Sequence, residues 1–165
     1  MILKEKRSIC LAMRAIATAC RKKQFPVLVH CIHGKDRTGL VVALTLLLCD
    51  VNEDEVCQDY ALSGPLLRNA KHTKLFGKDS PMYLENDEYI VTPIVVMRSV
   101  LSWMKSETST RTANEAAETY IRNAGLSREA IDLIRTTFKS DMRAVRRPQS
   151  SFPDDKKAFN KTCKY

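Results

Sequence analysis

The chain has 165 residues, 44% of them hydrophobic, and its 27 Lys and Arg outnumber 19 Asp and Glu for a net charge of +8. This is the size of one domain, able to bury roughly two-thirds of its unfolded surface, which excludes a chain disordered throughout. The basic residues are scattered with few aromatics between them, so acidic or phosphorylated ligands fit the charge and nucleic acid does not.

In chain order, residues 3 to 23 are expected to form a helix, because Ile9, Met13, Ile16 and Cys20 recur on one face. Phe25-Pro26 ends it. Val27 to His30 is the one convincing strand, a short apolar run suited to burial on both faces. After the turn that follows, Thr38 to Cys49 is apolar nearly all round and predicts a buried central helix. Asn52 with Glu55 predicts a capping box and a helix to about Ser63, broken by Gly64-Pro65.

Residues 65 to 91 mix charge with Gly77 and Pro81 and are expected to be a loop carrying one short helix, Leu66 to Lys71. Thr92 as N-cap and Pro93 at the first helical position open a helix to about Lys105, with Ile94, Met97, Leu101 and Met104 inward and Trp103 packing. Thr112 and Glu115 form a second capping box for residues 113 to 124, and Gly125 occupies a left-handed C-cap position. Ser127 caps the last helix, Leu126 and Ile131 fit a hydrophobic staple, and Ile131, Ile134 and Phe138, flanked by Leu133, define a face ending near Lys139. From Ser140 the chain turns polar, so residues 1–140 are read as the domain and 141–165 as a solvated tail.

Six cysteines, at 10, 20, 31, 49, 57 and 163, form no Cys-x-x-Cys pair and no regular framework. They read as reduced thiols of a cytoplasmic protein. No signal-peptide pattern is read at either end, and Leu40 to Cys49 is too short to span a bilayer, which leaves peripheral contact with an anionic membrane open. The sequence does not fix an oligomeric state. It has no ligand cluster or glycine fingerprint for a metal or cofactor.

The chemistry concentrates in His30-Cys31-Ile32-His33-Gly34-Lys35-Asp36-Arg37-Thr38-Gly39, between the strand and the central helix. A strand-to-helix turn of this kind is an anion cradle: backbone N–H groups form a concave nest, the helix N-terminus adds partial positive charge, and glycines let the backbone approach closely. The dipoles that would hold a phosphate also favour the thiolate of Cys31, and Arg37 can grip two phosphate oxygens at once. An ordinary buried cysteine and a solvent-facing arginine are the alternative. The concentration of His, Cys, Gly, Arg and Thr in one turn argues against it.

The loop resembles the His-Cys-x5-Arg-Thr/Ser signature of cysteine-dependent phosphatases, and its Gly-Lys-Asp-Arg-Thr-Gly ending resembles the atypical tyrosine/lipid phosphatase branch. Asp59-Tyr60-Ala61-Leu62-Ser63, Thr92-Pro93 and Glu118-Thr119-Tyr120-Ile121 before Gly125-Leu126-Ser127 are similar to that branch in order and spacing. The resemblance implies an α/β, protein-tyrosine-phosphatase-like fold with a parallel sheet. Only thirty residues precede Cys31 and most read as helix, so the expected form is helix-dominated and lacks most N-terminal strands. The expectation is therefore a fragment, a truncated gene model or a divergent short form.

The resemblance implies a phosphocysteine intermediate on Cys31, with Arg37 and N–H groups from Ile32 to Arg37 on the phosphate oxygens. Ile32, His33, Gly34, Lys35 and Thr38 would then line the substrate, with Thr38 assisting the sulfur as it leaves. Asp36 is a general acid or water-orienting group, or else a carboxylate paired with a neighbouring Arg. Lys35 could meet a second phosphate, as on an inositol ring, or face solvent; His33 could join it when protonated. His30 orients the loop or is a satisfied histidine at a strand end. The expected substrate is a phosphorylated protein or a phosphoinositide. A non-catalytic phosphate-binding fragment is the competing reading, and a rhodanese-like sulfur transferase is disfavoured by the loop's ending.

Overall fold

The computed structural model describes residues 6–69 and 91–145, which form α1 (Lys6–Lys22), α2 (Asp36–Leu48), α3 (Glu53–Asn69), α4 (Ile94–Thr108), α5 (Ala113–Asn123) and α6 (Arg128–Val145). The central element is α2, which packs on α1, α3, α5 and α6, while α4 closes the opposite side against α3 and α5. Leu40, Val41, Ala43, Leu44, Leu47 and Leu48 of α2 are buried, and α1 meets the core with Ile9, Met13, Ile16 and Cys20 as its spacing predicts. Each fully buried Leu of this kind stabilises the fold by about 1.5–3 kcal/mol relative to exposure.

Local signals carry the second half. Thr112 accepts from the Glu115 N–H at 3.2 Å, and the Glu115 carboxylate accepts from the Thr112 N–H at 3.3 Å, completing the capping box. Gly125 has φ +99°, and the Ser127 hydroxyl caps α6 by accepting from the Ala130 N–H at 3.2 Å. Leu126 and Ile131 are buried as staple partners, as is Ile134, and Phe138 packs partly against the core.

This half also fastens the C-terminal end of α2, where carbonyls lack helical partners. Asn114 Nδ2 donates to Leu47 O at 2.9 Å and Val51 O at 3.0 Å, and Arg135 Nε donates to Leu48 O at 2.9 Å. Arg135 also pairs with Glu118 at 2.7 Å and Asp132 at 2.9 Å, and Lys139 pairs with Asp50. One end of the central helix is therefore clamped by side chains from α5 and α6.

Several expectations need correction. Val27 to His30 is not a strand of any sheet among the described residues: it runs without regular structure, with Leu28 85% exposed and Val27 and Val29 half-buried. A strand exists only through a partner's hydrogen bonds, and no described element supplies one. The structure is thus helix-dominated, and its described part contains no strand.

Gly64-Pro65 does not end α3, which runs through both residues to Asn69. Pro65 has no N–H for the carbonyl of Ala61, four residues back. The Thr92 hydroxyl donates to that carbonyl at 3.0 Å and accepts from the Gly64 N–H at 2.7 Å. Thr92 therefore mends α3 rather than capping α4, whose N-cap is Pro93 with no side-chain cap bond. The short helix expected at Leu66 to Lys71 is in part the end of α3, and the rest of the 65–91 loop lies outside the described residues, apart from Val91.

Ile94 stays 39% exposed although Met97, Leu101 and Met104 are buried. Trp103 packs edge-on against Tyr120, with centroids 6.1 Å apart. The last helix continues past Lys139 to Val145, over residues such as Met142, Arg143 and Ala144 that propagate a helix readily; the remaining tail lies outside the described residues.

Candidate active site

The turn from Cys31 to Lys35 delivers the chain into α2, whose first helical residues are Asp36, Arg37 and Thr38. Gly34 has φ +70°, and a Cβ there would meet nothing within 4 Å. Glycine is needed for the backbone angle, not for space. At Gly39 the reason is reversed: a Cβ would fall 2.8 Å from Tyr60 Cδ2 and 3.0 Å from Cε2, so glycine lets α2 and α3 close.

The Cys31 sulfur, half-buried, sits at the focus of the turn. Desolvation pushes its thiol up, but the Thr38 hydroxyl and the backbone N–H groups of Thr38, Gly34 and His33 outweigh it and bring the value from 9.0 down to about 7. The Thr38 Oγ1 is shut off from solvent and has no oxygen or nitrogen partner among the described residues; it faces the sulfur.

Cys31 opens into a cleft of about 450 Å³ shared with His30, Arg37 and Thr38. Arg37 is exposed and lines the same cleft, within reach of an anion there. The opposite wall was not foreseen: Ser8 and Ala12 of α1, one turn apart, line the cleft beside Ile9. Their small size at i, i+4 was the readable signal. Ile32 is 44% exposed, and His33 is half-buried.

Lys35 does not face solvent, and the charged neighbour of Asp36 is not an arginine. The Lys35 side chain is only 13% exposed and its Nζ lies 3.6 Å from Asp36 Oδ1. Lys35 is therefore folded inward, and the partner of Asp36 is this lysine rather than an arginine. The Asp36 side chain keeps 46% of its surface open, in the first turn of α2, where the helix dipole favours a carboxylate.

Three other cysteines differ from Cys31. Burial pushes the thiols of Cys20, Cys49 and Cys57 up, away from reactivity. Among the described residues no group of three or more His, Cys, Asp or Glu could hold a metal ion, and no helix is long and apolar enough to cross a membrane. What the loop can do chemically is present an ionisable thiol, flanked by N–H donors, to an oxyanion beside an exposed guanidinium.

Comparison with known proteins agrees with this chemistry. The chain is 31% identical over 119 residues to "Triple specificity protein phosphatase PtpB" of Mycobacterium tuberculosis strain H37Rv, a match covering 67% of this chain and 42% of the relative. The chain thus spans less than half the length of that curated protein. No solved structure matches it. Residues 1–140 match the model of the tyrosine phosphatase family, a span that holds the Cys31 loop and everything described from α1 to the middle of α6, so the chain belongs to that family.

Proposed function

We propose that the chain is a cysteine-dependent phosphatase that hydrolyses phosphate monoesters through a phosphocysteine intermediate. The Cys31 thiolate attacks phosphorus and forms an S–P bond as the P–O bond to the leaving group breaks. Arg37 and the loop N–H groups hold the other oxygens, and Asp36 hands a proton to the leaving oxygen. Water then attacks phosphorus, Asp36 takes its proton, and the S–P bond breaks with the Thr38 hydroxyl supporting the departing sulfur. The observation that carries this reading is the Cys31 thiol held near 7 by Thr38 and three N–H groups.

Phosphotyrosine in proteins is the first substrate class. The name of the relative, a triple specificity protein phosphatase, supports a site that takes more than one class of phosphate ester; the further classes we propose are phosphoserine, phosphothreonine and phosphoinositide esters. The inward Lys35 would have to leave Asp36 to meet a second phosphate. The working place we propose is the cytoplasm, with peripheral contact to anionic membrane where the substrate is a lipid.

The test is phosphate release from p-nitrophenyl phosphate. Cys31→Ser is expected to be inert, with a loss on the order of 10³-fold or more. Asp36→Asn is expected to lose about 10²–10⁴-fold, the range of general acid catalysis. A second reading, phosphate binding without turnover, is favoured by the run Val27 to His30, with which no described residue forms a strand; a folded wild type that binds orthovanadate but releases no phosphate would establish it and overturn the first.

A further inference from the structure

The two ends of α2 are held differently. Asn114 and Arg135 bind its C-terminal carbonyls, whereas its N-cap, Lys35, makes no side-chain cap bond. In the backbone, the Gly39 N–H accepted by Lys35 O at 2.8 Å closes the first turn. Asp36 and Arg37 lie in that turn, so its position must be set by packing from elsewhere.

Tyr60 of α3 is what packs there. It is 6% exposed, and its ring lies so close to Gly39 that a Cβ at position 39 would overlap it, at 2.8 and 3.0 Å. Its phenol is pushed up by burial and next by the charge of Asp36, which places ring and carboxylate in one neighbourhood. The stretch Asp59 to Ser63, which the loop chemistry does not use, thus reaches the site through this ring.

We propose that Tyr60 is a positioning residue for the phosphatase site: its ring is the stop against which the first turn of α2 rests, and the contact with Gly39 sets where Asp36 and Arg37 stand relative to the Cys31 sulfur. This rests on the phosphatase reading above. The ring makes the contact and the hydroxyl does not, so phenylalanine serves as well. A smaller side chain lets the turn drift, and a Cβ at position 39 pushes it away.

The experiment compares wild type with Tyr60→Phe, Tyr60→Leu, Gly39→Ala and the double variant Gly39→Ala/Tyr60→Leu. It reads kcat and KM for p-nitrophenyl phosphate, and the pH profile of Cys31 alkylation by iodoacetamide, located by mass spectrometry. His30 and Arg37 are the charged or titratable neighbours in the cleft, and neither is altered. Tyr60→Leu and Gly39→Ala should each lower kcat by about 10²-fold, the scale of a 1 Å misplacement, with KM little changed. Their alkylation midpoints should rise from about 7 toward the ordinary thiol value. Tyr60→Phe should match wild type, and the double variant should lose less than the two single losses combined.

Folded Leu and Ala variants with unchanged kcat and alkylation, a Phe variant as impaired as Leu, or losses that simply add would each overturn the proposal. If Tyr60→Leu fails to fold, Gly39→Ala decides alone, by the same shift in the alkylation midpoint. An inert wild type would defeat the phosphatase reading, while the alkylation profiles would still test the contact.

Discussion

The ends of α5 and the start of α6 are satisfied from nearby, whereas the run from Phe25 to Ile32 leaves itself open. In the first region Thr112, Glu115, Gly125 and Ser127 close each terminus within a few residues, and Ile121, Ile131 and Ile134 are fully buried. In the second, no described residue pairs with the backbone of Pro26 to His30, and Phe25, Leu28 and Ile32 are exposed at 44%, 85% and 44%. The apolar side of α2 next to this run is likewise incomplete. Val42 and Leu46 are only half-buried and, with Val27, Val29 and Phe138, line a groove of about 300 Å³. The stability of the described part therefore resides in the helices, and the Cys31 thiol stands at the border of the open side, half-buried.

The largest effect that would break this contrast is in the helical region. Ile134→Ala removes a side chain that is 0% exposed and should cost about 2–5 kcal/mol, read as a lower midpoint in urea. A cost below 1 kcal/mol would mean that α6 is held no better than the open run.

The next effect belongs to the loop. Because the Cys31 thiol is lowered from 9.0 to about 7, the thiolate is the form the fold favours. Its stabilising contribution is fully present above the unfolded value and is lost as pH falls through about 7. Alkylation of Cys31 should follow the same titration and reach about one hundredth of its plateau rate at pH 5. In Thr38→Val the midpoint should move back up, since one donor to the sulfur is gone; an unmoved midpoint would assign the lowering to the N–H groups alone.

How far the sequence could be read follows the same division. The capping box at Thr112, the turn at Gly125 and the cap at Ser127 depend on residues three or four apart, so their partners are visible in the chain itself. The anion loop is legible for the same reason, since Cys31, Gly34, Arg37 and Thr38 are neighbours in one turn. What depended on distant partners was misread. Gly64-Pro65 looks like a break because the group that repairs it, Thr92, lies about thirty residues on. Val27 to His30 reads as a strand because β-prone residues say nothing of whether a second strand is present. The inward turn of Lys35 and the contact of Tyr60 with Gly39 are likewise products of packing.

Thr92→Val tests the repair at Pro65 with a smaller effect. The variant keeps the shape of the side chain but leaves Ala61 O and the Gly64 N–H without the partner that Thr92 gives them, so a loss of about 1–3 kcal/mol is expected. Adding Pro65→Ala should recover part of it, because alanine restores an N–H for the Ala61 carbonyl. Thermal unfolding of the pair separates the two contributions. No recovery would assign the loss to the Gly64 N–H rather than to the Ala61 carbonyl.

The smallest expected change is the sharpest test of the open side. Leu28 is 85% exposed, so Leu28→Ser removes almost no buried surface and should alter stability by less than about 0.5 kcal/mol. Val29→Ser, one residue along but half-buried in the groove, should cost more. The pair thus reports which face of the run is covered. Equal and large costs at both positions would show that the run acquires a cover in solution, satisfying backbone groups that no described residue meets. If that cover were a second copy of the chain, the unfolding midpoint would rise with protein concentration, and the rise would vanish in Leu28→Ser.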